Sequence, residues 1–121
     1  MSSLNIDSAI GAHRAWKGRL EHVILGIAEN KLDQHSVSDD TGCLLGRWLF
    51  GDGQEYSNWS HFEELVDCHK RFHQSAGAIV SLFLEGKLDE ANNLLDGDFS
   101  RFSTQVVALL TQLREQLNAG I

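Results

Sequence analysis

Apolar residues recurring at steps of three and four mark out most of this chain. Ile6, Ala9, Ile10, Trp16, Leu20, Val23, Ile24 and Ile27 keep that spacing, which predicts an amphipathic first helix starting near Asp7 or Ser8 and ending near Asn30. From Lys31 to Gly42 the pattern lapses into Asp33, Ser36, Ser38, Asp39, Asp40 and Thr41, a polar loop able to cap the next element. Cys43-Leu44-Leu45-Gly46-Arg47-Trp48-Leu49-Phe50 is short and strongly apolar, closed by Gly51-Asp52-Gly53; it predicts a short helix with Cys43 in its first turn. Ser60-His61-Phe62-Glu63 has the form of a capping box. It opens a third helix through Phe62, Leu65, Val66, Phe72, Ala76, Ile79, Val80 and Phe83, ending around Leu84-Glu85-Gly86. Leu88, Ala91, Leu94 and Leu95 predict a shorter fourth helix stopped at Gly97, and Phe99, Phe102, Val106, Leu109, Leu110, Leu113 and Leu117 a fifth. The fifth stripe carries no ionisable group, so it reads as packing surface or as a surface for a partner helix.

Proline is absent, and Leu, Ala, Glu and Gln are abundant, which favours long uninterrupted helices. Joined by short connections, such helices pack as an all-α, antiparallel four-helix-type bundle, here with one additional short helix carrying Cys43. A chain of 121 residues is long enough for one core, so residues 1–121 are expected to form a single domain. The net charge of −7 argues against nucleic acid as a partner, because binding to phosphates depends on clustered Lys and Arg. The amino-terminal stretch Met-Ser-Ser-Leu-Asn-Ile-Asp has neither a basic nor an apolar targeting region, and no stretch approaches about eighteen consecutive apolar residues. The chain is therefore expected to be cytoplasmic, without a membrane partner. In a reducing compartment its two cysteines, Cys43 and Cys68, point to thiolate chemistry or metal ligation before a disulfide.

Histidine interrupts the apolar stripes. His69 and His73 stand four apart on the buried face of the third helix, so both rings can reach one point in the core. Two satisfied core histidines would give the same pattern, as would a metal-binding helix. His13 lies on the stripe of the first helix, whereas His22 is turned about 180° from it at about 100° per residue and is expected in solvent. His35 falls in the polar loop and His61 beside a helix cap, both expected to be exposed. Cys43, at the start of a helix, is favoured as a thiolate by free N–H groups, although a small buried hydrophobe is the plainer alternative. His13, Cys43, His69 and His73 thus remain as inward-pointing candidates. One thiolate and three imidazoles suit a tetrahedral, borderline-soft cation, with zinc ahead of copper or iron. No Glu-x-x-His pair of the di-iron kind and no His-Glu-x-x-His of a zinc protease is present.

At these residues the sequence resembles the chemoreceptor zinc-binding (CZB) domain family. The likeness rests on His13-Arg14-Ala15-Trp16, on Cys43-Leu44-Leu45-Gly46-Arg47-Trp48 for the family's Cys-x-Leu/Phe-Gly-x-Trp/Tyr element, and on His69-x-x-Phe72-His73 for its His-x-x-x-His. It covers nearly the whole chain and all four ligand positions. The resemblance implies a cytosolic bacterial sensory module holding zinc through three His and one Cys. Relatives act with a chemoreceptor or a diguanylate cyclase, in cis or in trans, respond to zinc or to oxidants such as hypochlorous acid at the cysteine, and can form homodimers. The resemblance fits either a free-standing member or a module cut from a larger protein that carries the receptor or cyclase segment.

Two other functions stay open on sequence grounds. A passive structural zinc bundle or helix-docking adaptor would carry the same residues. A thiol- or metal-dependent hydrolase would need one of the four to be free of the metal, and no Ser/His/Asp order, Gly-rich phosphate loop or spare inward carboxylate supports it.

Overall fold

Asn5 caps the first helix: its side-chain oxygen accepts the Ser8 N–H at 3.0 Å, taking the place expected of Asp7 or Ser8. The computed structural model describes residues 5–26, 37–40 and 43–119. Helix α1 spans Ile6–Ile24, with Ile6, Ala9, Ile10, His13, Leu20, Val23 and Ile24 on its buried face. It ends earlier than its apolar pattern suggests. Gly26 has φ +74°, a conformation most side chains resist, and its N–H bonds the Val23 carbonyl, closing the last turn. Ile27, Asn30 and His35 lie outside the described residues. Of the expected polar loop, residues 37–40 are described: Val37 and Ser38 are helical and not loop, and Val37 is a core residue at 4% exposure.

Helix α2 is Leu44–Leu49, with Cys43 as its N-cap and not within its first turn. A 3-10 turn, Asp52–Tyr56, follows directly. Helix α3, Phe62–Leu84, is the longest element, and it begins without the expected capping box. Its N-cap is His61, which makes no side-chain cap bond; the imidazole pairs with Glu64 at 3.0 Å across the first turn. The entry differs from the expected one: the Phe62 N–H bonds the Trp59 carbonyl and the Leu65 N–H the His61 carbonyl, so the helix takes His61 and not Ser60 as its N-cap. Gly86, with φ +78°, ends α3 in the left-handed conformation, and the Lys87 N–H reaches back to the Leu82 carbonyl.

Helix α4, Leu88–Leu94, runs through a π turn at Leu95–Phe99 into α5, Ser100–Ala119. Gly97 departs from helical geometry inside that turn, as a glycine stop at this position predicts. Beyond the kink at Gly97, α5 lies antiparallel to α3: Phe72 meets Phe99, and earlier in α3 the Cys68 sulfur meets the Phe102 carbonyl and Gln105 further along α5. It is antiparallel to α1 as well, with Asp7 paired to Arg114 at one end and α1 packing on α4 and the π turn at the other. Consequently α1 and α3 run side by side in the same direction, which brings the middle of α1 level with the first half of α3. The architecture is all-α, a four-helix-type bundle of α1, α3, α4 and α5, with α2 as the additional short helix. Among the described residues no helix is long and apolar enough to cross a membrane.

Candidate metal centre

Four side chains from three elements meet in the core. His13 comes from α1, Cys43 from the cap of α2, and His69 and His73 from successive turns of one face of α3. One ligand-type atom from each lies within 4.8 Å of the others. The three imidazoles are buried, and Cys43 is half-buried. Phe72, fully enclosed, sits edge-on to His13 and His73 with ring centres 5.1 and 5.3 Å away, and so forms an apolar wall to the site.

Backbone carbonyls orient two of the rings. His13 Nδ1 lies 2.7 Å from the Ala9 carbonyl, and His73 Nδ1 lies 2.9 Å from the Val37 carbonyl. A carbonyl oxygen only accepts, so Nδ1 carries the proton in both rings and Nε2 presents its lone pair to the centre. Metal-binding histidines are commonly held in this way. His13 Nε2 is buried without a hydrogen-bond partner. His69 Nε2 stands 3.2 Å from the Cys43 sulfur and 3.1 Å from His73 Nε2, which leaves its Nδ1 unpartnered as well.

The residues fit a tetrahedral zinc. Zn–N bonds of about 2.0–2.1 Å place neighbouring donors about 3.3 Å apart, close to the two separations at His69. A buried nitrogen without a partner costs about 1–3 kcal/mol, and a cation at the centre would satisfy the one on His13. Without a cation His69 carries its proton on Nε2, where His73 Nε2 accepts it at 3.1 Å, and a cation at the centre takes the place of that proton.

Burial sets the protonation of the site. Desolvation lowers the pKa of all three imidazoles; His69 is driven furthest, to about 2, with help from its neighbours His73 and His13. For His13 and His73 the carbonyls of Ala9 and Val37 partly oppose the fall. All three are neutral near pH 7, the form that ligates. Cys43 runs against the expectation of a ready thiolate. Desolvation raises its pKa above the ordinary thiol value, and the Gly46 N–H donating to its sulfur at 3.3 Å offsets that only in part. Without a cation the sulfur keeps its proton.

This protonation has a consequence for the metal-free protein. Below pH 6.5, the ordinary histidine value, the unfolded chain binds protons that the folded one refuses. Stability is therefore intact above that pH and is lost as the pH falls, by about 1 kcal/mol for His69 at roughly pH 5.5, with His13 and His73 acting in the same direction. Urea unfolding of zinc-free protein at roughly pH 7.5 and 5.5 checks this, with a lower midpoint expected at the acid pH and a smaller drop for His69→Ala.

The other titratable candidates stay away from the centre. His22 is exposed, and His61 lies at the far end of the first turn of α3 beside Trp59. Cys68 follows α3 round to the α5 side, where its thiol is pushed up to about 11 by burial and by the Asp67 and Glu64 carboxylates. The carbonyls of Ala9 and Val37 were not anticipated, since a backbone acceptor leaves no trace in residue identity. Only the apolar Val37 inside an otherwise polar loop hinted that this segment turns inward.

A family model described as the chemoreceptor zinc-binding domain matches residues 13–80, more than half of the chain and a span containing all four clustered residues. No curated protein and no solved structure matches the chain.

Proposed function

The chain belongs to the chemoreceptor zinc-binding (CZB) domain family, and on that premise we propose that it is a sensory domain whose zinc is held by His13, Cys43, His69 and His73, with Cys43 as the point of attack by an oxidant. The observation that carries the ligand assignment is the buried, unpartnered Nε2 of His13 facing a sulfur and two imidazoles supplied by other elements. Zinc bound there supplies a cross-link among α1, α2 and α3 and keeps the cysteine deprotonated. Four protein donors leave no position for substrate, which favours regulation over hydrolysis. Among the described residues the buried polar side chains are His13, His69, His73 and Ser75, with no carboxylate to act as a base.

The redox step is two-electron chemistry at one sulfur. Cys43 thiolate and hypochlorous acid give the sulfenic acid and chloride; sulfur loses two electrons and chlorine takes them. The neutral sulfenic acid is a poorer donor than the thiolate, and the tie between α2 and α3 weakens. The segment from Val37 to Cys43 is bound to the site at both ends, through the Val37 carbonyl on His73 and the Cys43 sulfur at His69. It is the element we expect to open. The output passes to a chemoreceptor or diguanylate cyclase signalling domain, in cis or in trans, in the cytoplasm, and residues 1–121 act as one domain that can form a homodimer.

Hydrogen exchange with zinc-loaded, oxidised and Cys43→Ser protein tests this reading. Limiting hypochlorous acid is expected to modify Cys43 ahead of Cys68, which is 6% exposed and far from a thiolate near pH 7. Exchange should then rise across residues 37–50 while α3 stays protected. Identical exchange in all three samples would leave a passive zinc-stabilised bundle.

A further inference from the structure

Helix α2 has six residues, too few to hold its own shape in water, yet it delivers the sulfur to the centre. Leu45 and Leu49 are buried in the core, and Trp48 is nearly so. Its Trp48–Leu49 end is held by the turn that follows. The Gln54 side-chain amide donates to the Leu49 carbonyl at 2.6 Å, capping the end of α2. Tyr56 stacks on Trp48 with ring centres 5.7 Å apart and planes 24° from parallel. Gly53 is pressed against Trp48: a Cβ at this position would stand 2.6 Å from the Trp48 carbonyl oxygen and 2.6 and 2.8 Å from two atoms of its indole.

We infer that the Asp52–Tyr56 turn is a clasp that places the Cys43 sulfur, with Gly53, Gln54 and Tyr56 as positioning residues for the metal centre. This rests on the ligand reading given above. A flexible side chain could swing away from a new Cβ at Gly53, but the Trp48 carbonyl belongs to α2 itself. Relief therefore means moving α2 or the turn by at least a few tenths of an ångström. Anchored at Leu45 and Leu49, the short helix answers a push at its Trp48 end by tilting, and Cys43 lies at the other end. Metal–ligand distances tolerate only about 0.2 Å of such error. The displacement needed at Gly53 exceeds what the sulfur can absorb and still ligate.

Cobalt(II) titration of the whole chain tests the clasp, because thiolate-to-cobalt charge transfer reports the sulfur separately from the imidazoles. Gly53→Ala and Tyr56→Ala are expected to weaken cobalt binding about 10- to 100-fold, the usual range for groups that orient a ligand, and to diminish the charge-transfer band. Tyr56→Phe keeps the stack and should restore both. In a Cys43→Ala background the same substitutions should have no further effect on affinity, whereas general loosening of the fold would lower it in both backgrounds. Full charge transfer and unchanged affinity in Tyr56→Ala, or an equal loss with and without Cys43, overturns the clasp while leaving the ligand set intact. Absence of the band from the wild-type protein overturns the ligand reading, and the clasp with it.

Discussion

His73→Ala is expected to lower zinc affinity about 100- to 1,000-fold, and His22→Ala to leave it unchanged. Apparent binding energies of structural zinc sites are about 10–16 kcal/mol, so one of four ligands accounts for roughly a quarter, or about 3–4 kcal/mol. His73 and His22 separate on burial alone, one enclosed beside Phe72 and the other on the outer face of α1. The His73 change also strips the Val37 carbonyl of its donor, a cost of about 1–3 kcal/mol to the metal-free fold. His69→Ala provides the control, since its ring donates to no backbone carbonyl among the bonds at the site. It should lose affinity on the same scale with a smaller loss of metal-free stability. Competition titration against a zinc chelator gives the affinities, and far-ultraviolet circular dichroism should report nearly unchanged helix content in each variant. Affinity in His73→Ala within threefold of wild type would remove His73 from the ligand set.

Phe72→Ala is expected to cost about 3–5 kcal/mol of folding stability, out of a total of about 5–15 kcal/mol for a domain of ordinary stability. Phe72 has no exposed surface; its ring meets Phe99 at 4.9 Å on one side and the rings of His13 and His73 on the other. Truncation opens a cavity between the metal centre and the π turn, and none of the helices can collapse into it without moving the imidazoles. A fall in melting temperature on the order of 10–20 °C is expected for metal-free protein. The rise in melting temperature on adding zinc should shrink too, because His13 and His73 lose the wall that limits their rings. Thermal unfolding with and without zinc measures both. A melting temperature within a few degrees of wild type would mean that Phe72 is not packed as described. Phe72→Leu, which refills part of the space, should lie between the two.

How much of this could be read before folding follows from which forces act locally. The placement of His69 and His73 on one face was settled by their spacing, because residues four apart on a helix are neighbours whatever the helix packs against. The same locality set the glycine stop at Gly97 and the exposure of His22. It overreached at the helix ends. The first helix closes at Ile24, where Gly26 turns left-handed, and the third takes His61 as its N-cap in place of Ser60, with the Phe62 N–H on the Trp59 carbonyl.

The chain by itself thus determined the helices, their apolar faces, the donor types and, through three ordered motifs, the family. Only the tertiary structure decided that α1 and α3 run side by side so that His13 arrives level with His69, and that Cys68 turns to α5 while Cys43 turns to the centre. It alone set the proton of His73 on the nitrogen facing Val37, kept the Cys43 thiol protonated by burial, and pressed Gly53 against Trp48. Each of these depends on groups far apart in the chain or on backbone atoms common to every residue. Desolvation and contact across the core act on positions in space, and residue order carries no direct record of them.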